Sequence, residues 1–123
     1  MEKRVLIVDD VILNRKLAIA FLSRMGWKTF DVDSGSAAIE WLASHDAVDM
    51  VLLDISMPDL CGESVCRQLR SNPAFDDLKI VAYTAHAGAD DSQRFLVNGF
   101  NAVLIKPISS QRLKDLMTEL VGA

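Results

Sequence analysis

The sequence predicts an α/β fold in which helices cover both faces of a five-stranded parallel sheet. Three observations carry that prediction. Short apolar runs alternate with helix-patterned segments along the whole of the 123-residue chain. The first run, Val5-Leu6-Ile7-Val8, is apolar without a break, the pattern of a strand buried on both faces. Helix stops close three of the five helical patterns: Gly26, Asn72-Pro73 and Gly99.

The elements follow in order. After the first strand, Ile12 to Met25 carries Leu13, Leu17, Ala20, Phe21 and Met25 at helical spacing, and Gly26 provides a left-handed stop. Lys28 to Val32 alternates and reads as the second strand. Ser34 can cap a helix that runs through Ala38, Ile39 and Leu42. Asp49 to Leu53 is the third strand, followed by a helix from about Gly62 to Arg70. Leu78 to Tyr83 is the fourth strand, Asp90 to Asn98 a helix, and Ala102 to Ile105 the fifth strand. Ser109 can cap a last helix reaching Val121. Right-handed crossovers favour the strand order 2-1-3-4-5, a three-layer, doubly wound, flavodoxin-like arrangement.

Length and composition fit residues 1–123 as one domain, large enough to bury roughly two-thirds of its unfolded surface. With 17 acidic against 13 basic residues, the net charge of -4 argues against a nucleic-acid surface. No apolar run is long enough to span a membrane, and the opening residues lack a signal-peptide pattern, so a cytoplasmic location is expected. Cys61 and Cys66, on a helix, match no zinc or redox spacing and read as reduced thiols.

In a doubly wound sheet, ligands bind beyond the carboxyl ends of the strands. Asp9-Asp10 follows strand 1, Asp54 strand 3, Thr84 strand 4 and Lys106-Pro107 strand 5. Each alone has a plain structural explanation: a helix cap, a turn residue or a solvated lysine. Together they aim three carboxylates, a hydroxyl and an ammonium at one point. Crowded carboxylates raise one another's pKa, and a divalent cation relieves that repulsion. Mg²⁺ prefers oxygen ligands. A nucleophilic carboxylate, a metal and fixed donors around spreading negative charge are what phosphoryl transfer requires.

The set Val8-Asp9-Asp10, Asp54-Ile55-Ser56-Met57-Pro58-Asp59-Leu60-Cys61-Gly62, Thr84-Ala85 and Lys106-Pro107 resembles the receiver domains of two-component response regulators. The resemblance runs the length of the chain. It implies that Asp54 is the phosphoacceptor and that Asp10 binds Mg²⁺ directly, Asp9 through water and Ser56 through its backbone carbonyl. Lys106 would contact the phosphoryl group, with a cis bond to Pro107. Thr84 would move towards the phosphoryl oxygen, and Gly62 would permit the loop turn. His86 and Ser56 would tune the lifetime of the acyl phosphate. The phosphodonor would be a histidine kinase or a histidine phosphotransfer domain, with a downstream effector also expected. Asn14-Arg15 and Thr84-Ala85-His86-Ala87 resemble receivers attached to hybrid sensor kinases. Asn14, Arg15 and Ala18 are the expected docking face. One position departs from the family: Val103 stands where many receivers carry an aromatic switch, so output through loop and helix shifts near Thr84, or onward relay, is expected.

Other readings fit less well. Phosphatases with an aspartyl nucleophile read Asp-x-Asp after strand 1, whereas here Val11 follows the adjacent pair. A flavin carrier would not place two carboxylates against the cofactor's phosphate. No Gly-x-x-x-x-Gly-Lys loop is present. The alternative within the family is a degenerate receiver that binds partners without phosphorylation.

Overall fold

The computed structural model describes residues 3–45, 47–85 and 88–121. Strands β1 (Arg4–Val8), β2 (Lys28–Val32), β3 (Met50–Asp54), β4 (Lys79–Thr84) and β5 (Ala102–Ile105) alternate with helices α1 (Ile12–Arg24), α2 (Gly35–Ser44), α3 (Gly62–Arg70), α4 (Ala89–Val97) and α5 (Ser110–Val121). All pairings are parallel, in the order β2-β1-β3-β4-β5, as the sequence predicted. No helix among the described residues is long and apolar enough to cross a membrane.

The unbroken apolar runs are explained by burial on both faces. Leu6, Val8, Val51, Leu53, Ile80 and Ala82 pack towards Leu42 of α2, Val65 and Leu69 of α3, and Phe95 of α4. Val5, Ile7, Met50, Leu52, Val81 and Leu104 pack on the opposite face, towards Ala18 and Leu22 of α1 and Leu113 and Leu116 of α5. Each fully buried leucine or isoleucine contributes roughly 1.5–3 kcal/mol of transfer free energy.

Local signals set most boundaries. Ser34 Oγ accepts the Ala37 N–H at 3.1 Å, and Ser109 Oγ accepts the Arg112 N–H at 3.2 Å. Gly26 and Gly99 lie at φ +89° and +106°, where a Cβ would be strained. Arg70 fastens the end of α3 to the chain before β5, donating to the Gly99 carbonyl (2.9 Å) and Asn101 Oδ1 (2.7 Å), and to the turn before β4 through the Phe75 carbonyl (2.8 Å).

Helix α1 departs from expectation. Leu13, Leu17 and Ala20 face solvent, Leu13 at 73% exposure, while Ala18 and Leu22 are buried. The cause is Arg15. Its guanidinium donates to Asp31 (2.9 Å) and to the Asp9 carbonyl (2.8 Å), so Arg15 faces the ends of β1 and β2. Ala18 and Leu22 lie three and seven residues further on, the same face of a helix. Small Ala18 lets the helix approach the sheet. Ala18 and Arg15 therefore cannot form an exposed docking face; the outward face is Ile12, Leu13 and Leu17.

Candidate functional site

The site is built from residues at and just beyond the carboxyl ends of β1, β3, β4 and β5. Asp9 is fully buried. Its Oδ1 accepts the Val11 N–H at 2.9 Å, and its Oδ2 lies 3.2 Å from Lys106 Nζ. That second contact is an ion pair without hydrogen-bond direction, so among the described residues Oδ2 is a buried oxygen with no hydrogen bond. Neither acidic residue caps α1: its N-cap is Val11, with no side-chain hydrogen bond. Asp10 is exposed on the rim.

Asp54 ends β3 and is nearly fully buried. Its Oδ1 accepts the Ser56 N–H at 3.2 Å and lies 3.2 Å from Lys106 Nζ. Burial, and next the charge of Asp9, push its carboxyl up from 3.8 to about 6, against the opposing pull of Lys106 and the Ser56 N–H. Carboxylate oxygens of Asp9, Asp10 and Asp54 all lie within 4.8 Å of one another. An all-oxygen set, a buried oxygen without a hydrogen bond and a carboxyl that resists ionisation together fit a hard divalent cation such as Mg²⁺.

Thr84 is buried at the end of β4, and its carbonyl accepts the Lys106 N–H at 2.8 Å, which joins the end of β4 to the end of β5. Helix α4 begins at Ala89 with Gly88 as N-cap, so Thr84 is no helix cap. The Lys106–Pro107 peptide is cis, as the resemblance implied. Gly62 is required by close approach: a Cβ there would collide with the backbone carbonyl of Asp54. Of the predicted site residues, Asp9, Asp10, Asp54 and Lys106 come together, the Ser56 N–H reaches Asp54, and Thr84 is joined to Lys106 through the backbone. His86 lies outside the described residues.

Several neighbours were misjudged or missed in the sequence. Asp59 braces the loop after β3 against α2: it accepts from Ser36 Oγ (2.8 Å) and from the N–H groups of Ser36 (3.2 Å) and Gly35 (3.4 Å). The Ser36 hydroxyl and these N–H groups hold its carboxyl below its usual value. Tyr83 is buried beside the site. The β3–β4 register pairs it with Asp54, and Lys106 Nζ lies 4.8 Å from its ring centroid. Burial, with the charges of Asp9 and Asp54, pushes its phenol up to about 12. It was missed because only the residues that follow the strands were considered, and Tyr83 was read as the last residue of the fourth strand. Val103 is half-buried against the core, and Phe100 is buried edge-on to Phe95 at 5.6 Å, so Phe100 does not replace the missing aromatic. Cys61 precedes α3 rather than lying on it; Cys66 is buried, which pushes its thiol up to about 11.

Comparison with known proteins agrees with this geometry. The model of the response regulator receiver domain family matches residues 5–118. The chain is 35% identical over 122 residues to the sensor protein GacS of Pseudomonas syringae pv. syringae; the match covers 97% of this chain but spans 13% of GacS. It is 31% identical over 122 residues to the polar-differentiation response regulator DivK of Brucella ovis, covering 99% of this chain and 98% of DivK. Among solved structures, the receiver domain of sensor histidine kinase PA1611 from Pseudomonas aeruginosa PAO1 superposes with a TM-score of 0.88 at 28% identity over the full length of both chains. That structure has a magnesium ion coordinated in its active-site cleft.

Proposed function

The chain belongs to the response regulator receiver domain family, and from that premise we propose that it is a phosphoacceptor in which Asp54 takes a phosphoryl group from a phosphohistidine. The observation that carries this reading is the Lys106 ammonium held 3.2 Å from both Asp54 and Asp9 inside a cluster of carboxylates. Pairing alone would satisfy two buried carboxylates, but a lysine shared between them beside the exposed Asp10 is also placed to meet an anionic group that enters the site.

The Asp54 oxygen attacks phosphorus as the P–N bond to the donor imidazole breaks. The electron pair of that bond stays on the ring nitrogen, which takes up a proton, and an acyl phosphate forms. Lys106 offers its ammonium to a phosphoryl oxygen, and Thr84 offers a hydroxyl donor. Asp10, Asp54 and the Ser56 carbonyl would hold Mg²⁺, with Asp9 acting through water, and the ion would neutralise charge on the phosphoryl oxygens. With its carboxyl at about 6, Asp54 is mostly ionised at neutral pH and available as the nucleophile. Occupation would shift the domain between inactive and active states through the loops around Thr84.

The phosphodonor, a histidine kinase or phosphotransfer domain, would dock on the exposed apolar patch of Val11, Ile12, Leu13 and Leu17 beside Asp10. Leu96, Val97 and Ile105, exposed on α4 and β5, offer a separate surface to an effector. Replacing Ser56 or His86 should change the lifetime of the acyl phosphate. Incubation with a phosphorylated histidine phosphotransfer domain tests the reading: label should pass to the chain only when Mg²⁺ is present and Asp54 is intact. Transfer to Asp54→Asn at the native rate would overturn it.

A further inference from the structure

We infer that Tyr83 is a positioning residue for Lys106, its ring forming the platform that holds the lysine ammonium between the carboxylates of β1 and β3. This rests on the phosphoacceptor reading, and it assigns the reach of the essential ammonium to a residue that touches neither metal nor phosphate.

Adjacent strands of the sheet are about 4.8 Å apart, so a side chain leaving the end of β5 must cross β4 to reach β3. Side chains alternate, and the register pairs Asp54 with Tyr83 and Tyr83 with Leu104. Those three lie in one row on one face. Lys106, two residues beyond Leu104, returns to that face. Its path to Asp54 therefore runs over position 83.

The backbone fixes that path. The Lys106 N–H donates to the Thr84 carbonyl at 2.8 Å, and the Ile55 N–H donates to the Tyr83 carbonyl at 3.2 Å, so both flanks of Tyr83 are tied to the site. At the end of the path, Nζ lies 4.8 Å from the ring centroid and 3.2 Å from both Asp9 Oδ2 and Asp54 Oδ1. The lysine side chain is 19% exposed, and its ammonium sits beside two buried carboxylates, where it is largely removed from open solvent. An aliphatic floor would return nothing for that loss. The face of an aromatic ring attracts a cation within about 6 Å, more strongly where water is excluded. Tyr83 is itself 1% exposed within the α1–α5 side of the core, so the platform is rigid.

A ring that only filled core volume would be replaceable by leucine with no effect on the lysine. The test therefore compares the native chain, Tyr83→Phe, which keeps the ring, and Tyr83→Leu, which keeps apolar volume without one. Tyr83→Met serves as a second ringless variant should the leucine variant not fold. Two readouts are taken: the proton resonances of the Lys106 ε-methylene, and the rate and Mg²⁺ dependence of phosphorylation by acetyl phosphate. The expected result is a ring-shifted, upfield ε-methylene signal in the native chain and Tyr83→Phe that returns to the ordinary lysine position in the ringless variants. Phosphorylation should stay within about twofold of native in Tyr83→Phe and fall about fivefold in the ringless variants, the effect of roughly 1 kcal/mol. Half-saturating Mg²⁺ should not move, because the carboxylates are untouched.

An unshifted ε-methylene signal in the native chain overturns the inference without any variant. So does a ringless variant that reacts at the native rate, or a Tyr83→Phe loss as large as that of leucine. A native chain that gains no phosphoryl group at all would instead overturn the phosphoacceptor reading, while the resonance still reports whether the ring holds the lysine.

Discussion

Leu53 and Asp54 are neighbours on β3 and almost equally hidden, at 0% and 2% exposure, yet burial acts on them in opposite directions. Val8 and Asp9 are likewise neighbours at the end of β1, each at 0%. Removing Leu53 from water stabilises the fold by roughly 1.5–3 kcal/mol. Removing Asp54 from water opposes its charge and lifts its carboxyl to about 6. The body of the sheet holds the molecule together, and its carboxyl end works against folding. The same unfavourable charge gives the site its demand for a cation and its reactivity towards phosphorus.

The largest change expected from breaking this contrast comes on the apolar side. Leu53→Ala should lower stability by about 2–5 kcal/mol, read as a fall in the urea midpoint. A loss under about 1 kcal/mol would mean that the core collapses around the gap. On the charged side, the sign reverses. Without Mg²⁺ at pH 7.5, Asp54→Asn should be more stable than the native chain by about 3 kcal/mol at most. Asp54 has a raised folded pKa, so its neutral form supports the fold fully below 3.8, and that support is lost as pH rises through about 6. The native chain should therefore lose stability relative to Asp54→Asn across that window, and Mg²⁺ should restore the native chain and leave the variant nearly unmoved. Parallel pH profiles for the two chains would mean that the buried charge carries no such cost. Smaller still is the effect at the rim. Leu13→Ser with Leu17→Ser should change stability by no more than about 0.5 kcal/mol each, as exposed positions do. Transfer from a histidine phosphotransfer domain should nevertheless slow about tenfold, or about 1.4 kcal/mol. Unchanged transfer would place docking elsewhere.

Much of this was legible in the sequence, for identifiable reasons. Unbroken runs such as Val5–Val8 have one physical explanation, and the carboxylates that come after them are placed by strand direction alone. Helix α3 was equally plain: Val65, Cys66 and Leu69 are its buried stripe, and its other face is charged. Helix α1 misled because it is apolar on more than one face. The stripe of Leu13, Leu17 and Ala20 is as regular as the true one, and the rotation is set by Arg15 reaching the Asp9 carbonyl and, 16 residues away in the chain, Asp31, contacts that helical periodicity does not encode. Asp59 was hidden for the same reason, since the α2 N-terminus it braces lies 23 residues earlier. Gly62 was recognised, but as a turn residue; its need is the nearness of the Asp54 carbonyl, which no local pattern encodes.

The most direct test of the central claim is the intact mass of the chain after incubation with acetyl phosphate, with and without Mg²⁺, for the native sequence and Asp54→Asn. A base-labile gain of one phosphoryl group, only with Mg²⁺ and only in the native chain, is the predicted result. A folded native chain that gains nothing under any of these conditions would contradict it and leave a receiver that binds its partners unmodified.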